Sequence, residues 1–154
     1  MKNFKYTIVV FLLLTVIFSS CSNPISSKKS SKYYYTNLVA KHLIKDNKIK
    51  GNIMDTNFYK EINLSLDDIS TIQSFINNLK GSNFINPPKD LPKKPKYKIY
   101  LNFQKSKYVI NVYNDKYISI YPWDGKFPMD YIDMTGVYLS NNLYGLCENV
   151  FHKN

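Results

Sequence analysis

The 154-residue chain contains no arginine, one tryptophan and only two cysteines. The lack of arginine argues against nucleic-acid binding, because bidentate contacts to bases and phosphates usually come from that side chain. Two cysteines cannot build the multi-disulfide framework of small secreted domains. We therefore expect no nucleic-acid partner and a fold that depends on its hydrophobic core.

Signatures of catalysis and metal binding are also absent from the sequence. The five glycines are scattered singly, so no glycine-rich phosphate loop exists. The two histidines, His42 and His152, stand at no zinc-binding spacing from a cysteine. Cys147 and His152 are five residues apart and would not face one another on a helix. We predict no catalytic residue, no metal and no cofactor, and a protein that is not an enzyme.

The first twenty residues have the organisation of an export signal. Lys2 and Lys5 precede the apolar run TIVVFLLLTVIF, and Ser19, Ser20 and Cys21 follow it. This order is typical of a cleaved signal peptide, and the run is shorter than the roughly 20 apolar residues of a membrane span. The alternative for Cys21 is an incidental cysteine behind an ordinary signal.

The end of this signal, FSSC, resembles the lipobox of bacterial lipoproteins. The resemblance implies cleavage before Cys21 and a diacylglyceryl thioether on its sulfur, with acyl chains such as palmitate. The protein would then be anchored at the extracytoplasmic face of the cell membrane, in a Gram-positive-like envelope. Each buried CH₂ of an acyl chain contributes about 0.8 kcal/mol, so two or three chains would hold the protein permanently.

The mature chain would comprise a tether and one domain. We assign 1–20 to the signal peptide, 21–32 to the lipidated cysteine and a flexible Ser/Lys tether, and 33–154 to a single domain. The formal net charge is +10, of which the signal contributes two lysines. Lysines near an anionic membrane or wall polymer contribute about 1 kcal/mol each at most, and SSKKSSK is placed to do so.

Helical periodicity is clearest in the middle of the chain. Apolar residues from Ile69 to Leu79 recur on one face, after the candidate cap Ser65 and before Gly81, which predicts an amphipathic helix over about 66–80. A C-terminal helix is predicted over about 139–151 and a short one over 36–45. Residues 58–64 are predicted to form a strand. Four prolines make 86–95 an extended crossing.

Three consecutive segments alternate between apolar and polar residues, as β-strands do. A three-residue loop over 114–116 pairs Val112 with Ile118, and a four-residue loop over 104–107 pairs Leu101 with Ile110. Both registers place the aliphatic residues on one face. The prediction is therefore an α+β fold: an antiparallel β-meander with the 66–80 and 139–151 helices packed on its aliphatic face.

The opposite face of this meander is the candidate partner-binding surface. Tyrosine offers a large contact area, a polar tip and few rotors to immobilise. We therefore expect an envelope protein or a wall glycan to bind Tyr100, Tyr113, Tyr117, Tyr121, Trp123 and Phe127. Alternatively, the segment from Tyr33 to Leu38 covers this face. For Trp123 itself, the two flanking prolines favour a corner with the indole pointing inward.

Two other functions remain open. Asp124, Asp130 and Asp133 could serve an ion-dependent or hydrolytic module if their carboxylates converge, although their spacing is not that of an EF-hand loop. An unpaired, uncharged edge strand could instead cap another protein by strand addition.

Finally, the segments PPKDLPKKPKYKIYLNF, KYVINVYNDKYISIYPWDG and MDYIDM, behind the lipobox, resemble small clostridial lipoproteins that carry a domain of unknown function. The resemblance spans nearly all of the mature chain. It implies a lipoprotein with a single domain and assigns no catalytic residue.

Overall fold

The computed structural model describes residues 29–46 and 48–153. The predicted signal peptide (1–20), Cys21 and most of the predicted tether lie outside these residues. Among the helices of the described residues, none has the length and apolar character needed to span a bilayer.

A seven-stranded antiparallel sheet forms the centre of the domain, with the strand order β2-β1-β4-β5-β6-β7-β3. Strands β4 to β7 are consecutive neighbours, so the predicted antiparallel meander is confirmed. The strands are β1 (Lys50–Asp55), β2 (Glu61–Asn63), β3 (Phe84–Ile85), β4 (Tyr97–Asn102), β5 (Lys107–Val112), β6 (Tyr117–Pro122) and β7 (Asp130–Asp133).

One of the two predicted hairpin registers is correct. Val112 pairs with Ile118 across β5 and β6, as the three-residue loop requires. In the β4–β5 hairpin, however, Leu101 pairs with Tyr108, because Phe103 N donates to Ser106 O at 2.9 Å and shortens the loop to two residues. The register therefore moves by two residues, which preserves the predicted faces.

Three helices pack on the aliphatic face of the sheet, which confirms the predicted α+β arrangement. They are α1 (Tyr34–Lys45), α2 (Leu66–Asn78) and α3 (Leu143–Lys153). Ser65 caps α2 in a capping box with Asp68, as predicted. The C-terminal helix starts later than predicted, because 139–141 form a 3-10 turn and Asn142 Oδ1 accepts from Tyr144 N at 2.9 Å.

The core lies between these helices and the sheet. Strand residues of one face meet apolar side chains from all three helices. Its fully buried side chains include Val39, Ile53, Ile72, Phe75, Ile99, Leu101, Ile110, Ile118, Ile120, Ile132 and Leu143. Burial of a side chain of this size contributes about 1.5–3 kcal/mol. A core of this extent stabilises the domain without a disulfide.

The strand predicted over 58–64 is shorter than expected, and β1 precedes it. Asp55 Oδ1 accepts from Asn57 N at 2.7 Å and Phe58 N at 3.3 Å, which turns the chain. The backbone of Tyr59 has a φ of 55°, a value that residues other than glycine rarely adopt. Residues 56–60 are therefore the tip of a β1–β2 hairpin.

The second face of the sheet is partly covered by the proline-rich crossing between β3 and β4. Thr56 Oγ1 donates to Pro95 O at 2.5 Å, and Tyr117 Oη donates to Asp90 Oδ2 at 3.3 Å. Met129 also lies on this face, where its sulfur accepts from Ser119 Oγ at 3.3 Å. The remainder of the second face contains the site described next.

Candidate functional site

Of the six predicted contact residues, one is buried and four lie around the Trp123 loop. Tyr117 is 6% exposed, under the crossing segment, and cannot act as a surface contact. Tyr113 stands at the opposite end of the sheet, next to the 114–116 turn, where its N–H donates to Tyr117 O. Tyr100, Tyr121 and Phe127 lie with Trp123 around adjacent depressions, and the Tyr113 phenol contributes to raising the pKa of Tyr121 after the larger effect of burial.

The indole of Trp123 points outward. Its side chain is 71% exposed, so the inward orientation favoured by its sequence context is wrong. The corner forms nevertheless, because Gly125 N donates to Pro122 O at 3.2 Å. Phe127 fills the inner side of the loop in its place, with its ring centroid 5.4 Å from that of Tyr34.

The segment from Tyr33 to Leu38 does not cover the second face of the sheet, which we also call the tyrosine face. Helix α1 packs on the aliphatic face, where Tyr35, Val39 and Leu43 join the core. Cover on the tyrosine face comes from the crossing segment, which leaves Tyr100 and Tyr121 half-buried. The sheet surface nearest Trp123 is therefore accessible.

A concave site of about 280 Å³, the Trp123 depression, opens on this surface. It is lined by Asn52, Glu61, Tyr100, Asn102, Lys107 and Trp123. Its volume lies near the lower end of ligand sites, which enclose about 300–1,000 Å³. Such a site suits a small recognition unit.

Strand register explains why these residues meet. Asn52 pairs with Tyr100 across β1 and β4, and Asn102 pairs with Lys107 across β4 and β5. Trp123 N donates to Lys107 O at 3.1 Å, which fixes the start of the loop beside β5. Side chains of paired residues lie on the same face of a sheet, about 4.5–5.5 Å apart at Cβ.

The polar groups of the depression are partly organised before any ligand arrives. Asn52 Nδ2 donates to Glu61 Oε2 at 2.9 Å, which orients both groups. Burial, and secondarily the charge of Glu61, raises the pKa of Tyr100. The Tyr100 phenol therefore stays neutral at physiological pH and can both donate and accept a hydrogen bond.

Trp123 also lines two neighbouring depressions. One, of about 360 Å³, extends over the β4–β5 turn and Asp124. The other, of about 380 Å³, is mostly apolar and is formed by Pro87, Tyr121, Pro122, Trp123, Gly125, Phe127, Pro128, Met129 and Tyr131. The exposed indole thus separates adjacent concave surfaces that a chain-like ligand could occupy together.

The three aspartates proposed for an ion site do not form one. Asp130 pairs with Ile120 and points into the helix layer, whereas Asp133, three residues later, lies on the other face of β7. Asp124 is exposed in the loop. No cluster of three or more His, Cys, Asp or Glu side chains suited to a metal occurs within 29–46 and 48–153.

Asp130 has a structural role instead. Its buried Oδ2 accepts from Thr36 N at 2.7 Å and Thr36 Oγ1 at 2.9 Å, and its Oδ1 lies 2.5 Å from Lys29 Nζ. Lys29 Nζ also donates to Pro128 O at 2.9 Å and Met129 O at 3.2 Å. Lys29, which lies in the predicted tether, is therefore attached to the domain beside the Trp123 loop.

Sequence reasoning missed Asn52, Glu61 and Lys107. The sequence predicts only one strand in this region, over 58–64, so it misses β1 with Asn52 and the β1–β2 pairing that positions Glu61. The Asp55-Thr56-Asn57 turn chemistry was the signal that could have divided that segment into a hairpin. Both sheet edges are short, β2 with three residues including Glu61 and β3 with two, so strand addition by a partner is disfavoured.

The fold and the site define a class: a small α+β domain with an aromatic and polar depression on one sheet face. A family model, the domain of unknown function DUF4883, matches residues 29–147, and the chain belongs to this family. A crystal structure of a Clostridium perfringens protein, described as a candidate lipoprotein, is 35% identical with a TM-score of 0.73. The match covers 80% of this chain and 98% of that one. None of the curated proteins matches the chain.

Proposed function

We propose that this protein is an extracytoplasmic lipoprotein, anchored in the cell membrane through Cys21, whose domain binds a wall glycan without catalysing a reaction. The observation that carries the proposal is the exposed indole of Trp123 beside the amide, carboxylate and ammonium groups of the Trp123 depression. The anchor part is supported by the FSSC sequence and by the likeness to a candidate lipoprotein.

The depression has the chemistry that sugar rings require. A pyranose presents an apolar C–H face and an edge of hydroxyl groups. Trp123 and Tyr100 supply aromatic surface for the apolar face. Both donors and acceptors face the hydroxyl edge, since amides offer both, a carboxylate accepts and an ammonium donates. The polar groups are Asn52, Asn102, Glu61 and Lys107.

An envelope protein is the other partner considered, because an exposed tryptophan is a common hot spot of protein interfaces. A stable protein interface buries about 800 Å² on each partner. The depression with its small volume and polar lining fits a single ring better than a protein surface. We therefore assign the glycan to this site and treat protein binding as a competing outcome.

The experiment uses soluble fragments of wall glycan, composed of N-acetylhexosamine units with and without their peptide stems. Trp123 is the only tryptophan in the chain, so the intrinsic fluorescence reports directly on the site. Saturable quenching or a blue shift is expected during titration. Trp123→Ala and Tyr100→Ala, measured by calorimetry, should each weaken binding about tenfold or more, the effect of losing roughly 1.4 kcal/mol.

Tyr138→Ala is the matched control, because Tyr138 is equally exposed but lies between β7 and α3. It should leave the affinity unchanged. Unaltered fluorescence at saturating glycan, or equal losses in all three variants, would overturn the proposal. Capture of one envelope protein that depends on Trp123, without glycan binding, would favour the protein partner instead.

A further inference from the structure

One end of the sheet, which we name the tether end, contains the starts of β1 and β5 and the ends of β4 and β6. Lys50, Asn102 and Lys107 form one cross-strand row there, and Trp123 continues it. The last turn of α1 is next to this row, since His42 Nε2 lies 3.2 Å from Ser106 Oγ. The opposite end contains the β1–β2 hairpin tip and the 114–116 turn.

The chain enters the domain at the tether end. Lys29 Nζ is held there by Asp130 Oδ1, Pro128 O and Met129 O, so all three of its protons have an acceptor. The Lys29 side chain is 15% exposed, and that of Asp130 is fully buried. This pair fixes the position of Lys29, the first described residue, on the domain.

Covalent geometry limits how far this point can lie from the lipid. Eight peptide units join Cys21 to Lys29. Because an extended chain spans at most about 3.6 Å per residue, the reach is no more than roughly 29 Å. The opposite end lies a further strand length away, about 20 Å for six residues. A lipid on Cys21 would therefore keep the tether end within roughly 29 Å of the bilayer, whereas the opposite end could lie up to about 50 Å from it.

Exposed side chains at the tether end suit an anionic lipid surface. The lysines are Lys45, Lys48, Lys50, Lys105, Lys107 and Lys126, and Ile44 is 70% exposed beside them. Fewer acids lie there: Asp46, which is next to His42, Glu61, which lines the Trp123 depression, and then Asp67, Asp68 and Asp124. Each lysine near an anionic leaflet contributes about 1 kcal/mol.

We infer that the domain docks against the membrane through this tether end, with its lysines on anionic headgroups. Charge alone does not select this end, because Lys60, Lys93 and Lys116 are exposed at or near the opposite one. The attachment of Lys29 at the tether end selects that end, because the lipid would be joined to the domain there. The inference rests on the proposed lipid anchor, and it places the Trp123 depression close to the bilayer surface.

Lysine footprinting tests this orientation with controls built into the chain. The mature lipidated protein is reconstituted in vesicles of phosphatidylcholine alone or with phosphatidylglycerol, and an amine-reactive reagent is applied. Modification of Lys45, Lys48, Lys50, Lys105 and Lys107 should slow about threefold or more on the anionic vesicles. Modification of Lys60, Lys93 and Lys116 should stay unchanged.

Charge reversal separates docking from general attraction. The variant K45E/K48E/K50E should lose the protection of Lys105 and Lys107, whereas K60E/K93E/K116E, with the same change in net charge, should retain it. Equal protection at both ends, or none at either, overturns the inference. Glycan binding in solution is measured without vesicles, so its failure and the failure of docking are separate results. Absence of lipid on Cys21 would be seen directly in the protein's mass and would remove the basis of both the anchor and the docking.

Discussion

At the scale of single residues, Asp130 connects three parts of the chain. Its carboxylate is fully buried and binds the start of α1 through Thr36 and the N-terminal segment through Lys29. The same lysine holds the end of the Trp123 loop through two carbonyl groups. An aspartate that could have been a metal ligand therefore organises the entry of the chain into the domain.

Removal of one member of this buried pair should be costly. Lys29→Met leaves the Asp130 charge without its cation, and such changes lower the free energy of unfolding by about 3 kcal/mol. Urea denaturation measures the change, with exposed Lys32→Met as the control. The double variant Lys29→Met/Asp130→Asn should recover part of the loss, because no unpaired charge remains. Equal midpoints for wild type and Lys29→Met would contradict this role.

The direction in which individual side chains point was the least predictable feature of the site. Pro122 and Asp124-Gly125 predict a corner, and a corner forms, but the same residues do not determine which aromatic ring fills it. Tyr35 decides the outcome, since its hydroxyl accepts from Phe127 N at 2.8 Å and donates to Phe127 O at 3.3 Å. This contact joins residues 92 positions apart, and local patterns contain no information about it.

At the scale of elements, a polar cluster fastens α3 to the start of β4. Glu148 Oε1 accepts from Lys96 Nζ at 2.7 Å and from Tyr97 Oη at 2.5 Å, and Lys96 Nζ also lies 2.8 Å from Tyr144 Oη. The hydrogen bond from Lys96, followed by that from Tyr97, lowers the pKa of Glu148 below its ordinary value. The C-terminal helix is thereby attached by charge as well as by its apolar face.

This attachment should weaken in acid. Because the folded-state pKa of Glu148 is lowered, its contribution to stability is complete above the ordinary pKa of 4.5 and is lost as the pH falls through the lowered value. Wild type should therefore be more stable than Glu148→Gln near neutral pH, and the difference should shrink below about pH 4. Urea unfolding over a pH series measures it.

Glu61→Gln, at the other glutamate of the chain, is the control for this series. Glu61 is exposed on the edge strand β2 and does not join two elements of the core. A difference between wild type and Glu148→Gln that stays constant down to pH 3 would show that the Lys96–Glu148 bond does not attach α3.

Elements with a strong periodic pattern were predictable, and those set by turn chemistry were not. The capped helix after Ser65 and the alternation of β4 to β6 follow from residue spacing alone. The two-residue turn at Gln104-Lys105 depends on one backbone hydrogen bond, and the division at Asp55 depends on the Asp55 carboxylate, which accepts from Asn57 N. Asn52 was missed because β1 was not predicted, and Glu61 was missed because its pairing with β1 depends on that hairpin, although it lies within the strand predicted over 58–64.

At the scale of the whole molecule, the attachment of Lys29 and the Trp123 depression lie toward the same end of the sheet. The family match begins at Lys29, so the residue that fastens the chain is also the first residue of the shared domain. The three helices and the core occupy the other side of the sheet. The proposed anchor on Cys21 would therefore place the candidate binding face near the membrane.

The anchor itself gives the last prediction, and the two cysteines supply a matched pair for it. Cys21→Ala should abolish lipidation and move the protein from the membrane fraction to the medium, because the diacylglyceryl group is attached through the sulfur of Cys21. Cys147→Ala should leave the protein in the membrane, since Cys147 is fully buried in α3 and burial raises the pKa of its thiol. Detergent phase partition and mass spectrometry of the N-terminal peptide measure both variants. Equal partition of Cys21→Ala and wild type into the detergent phase would show that Cys21 does not anchor the chain.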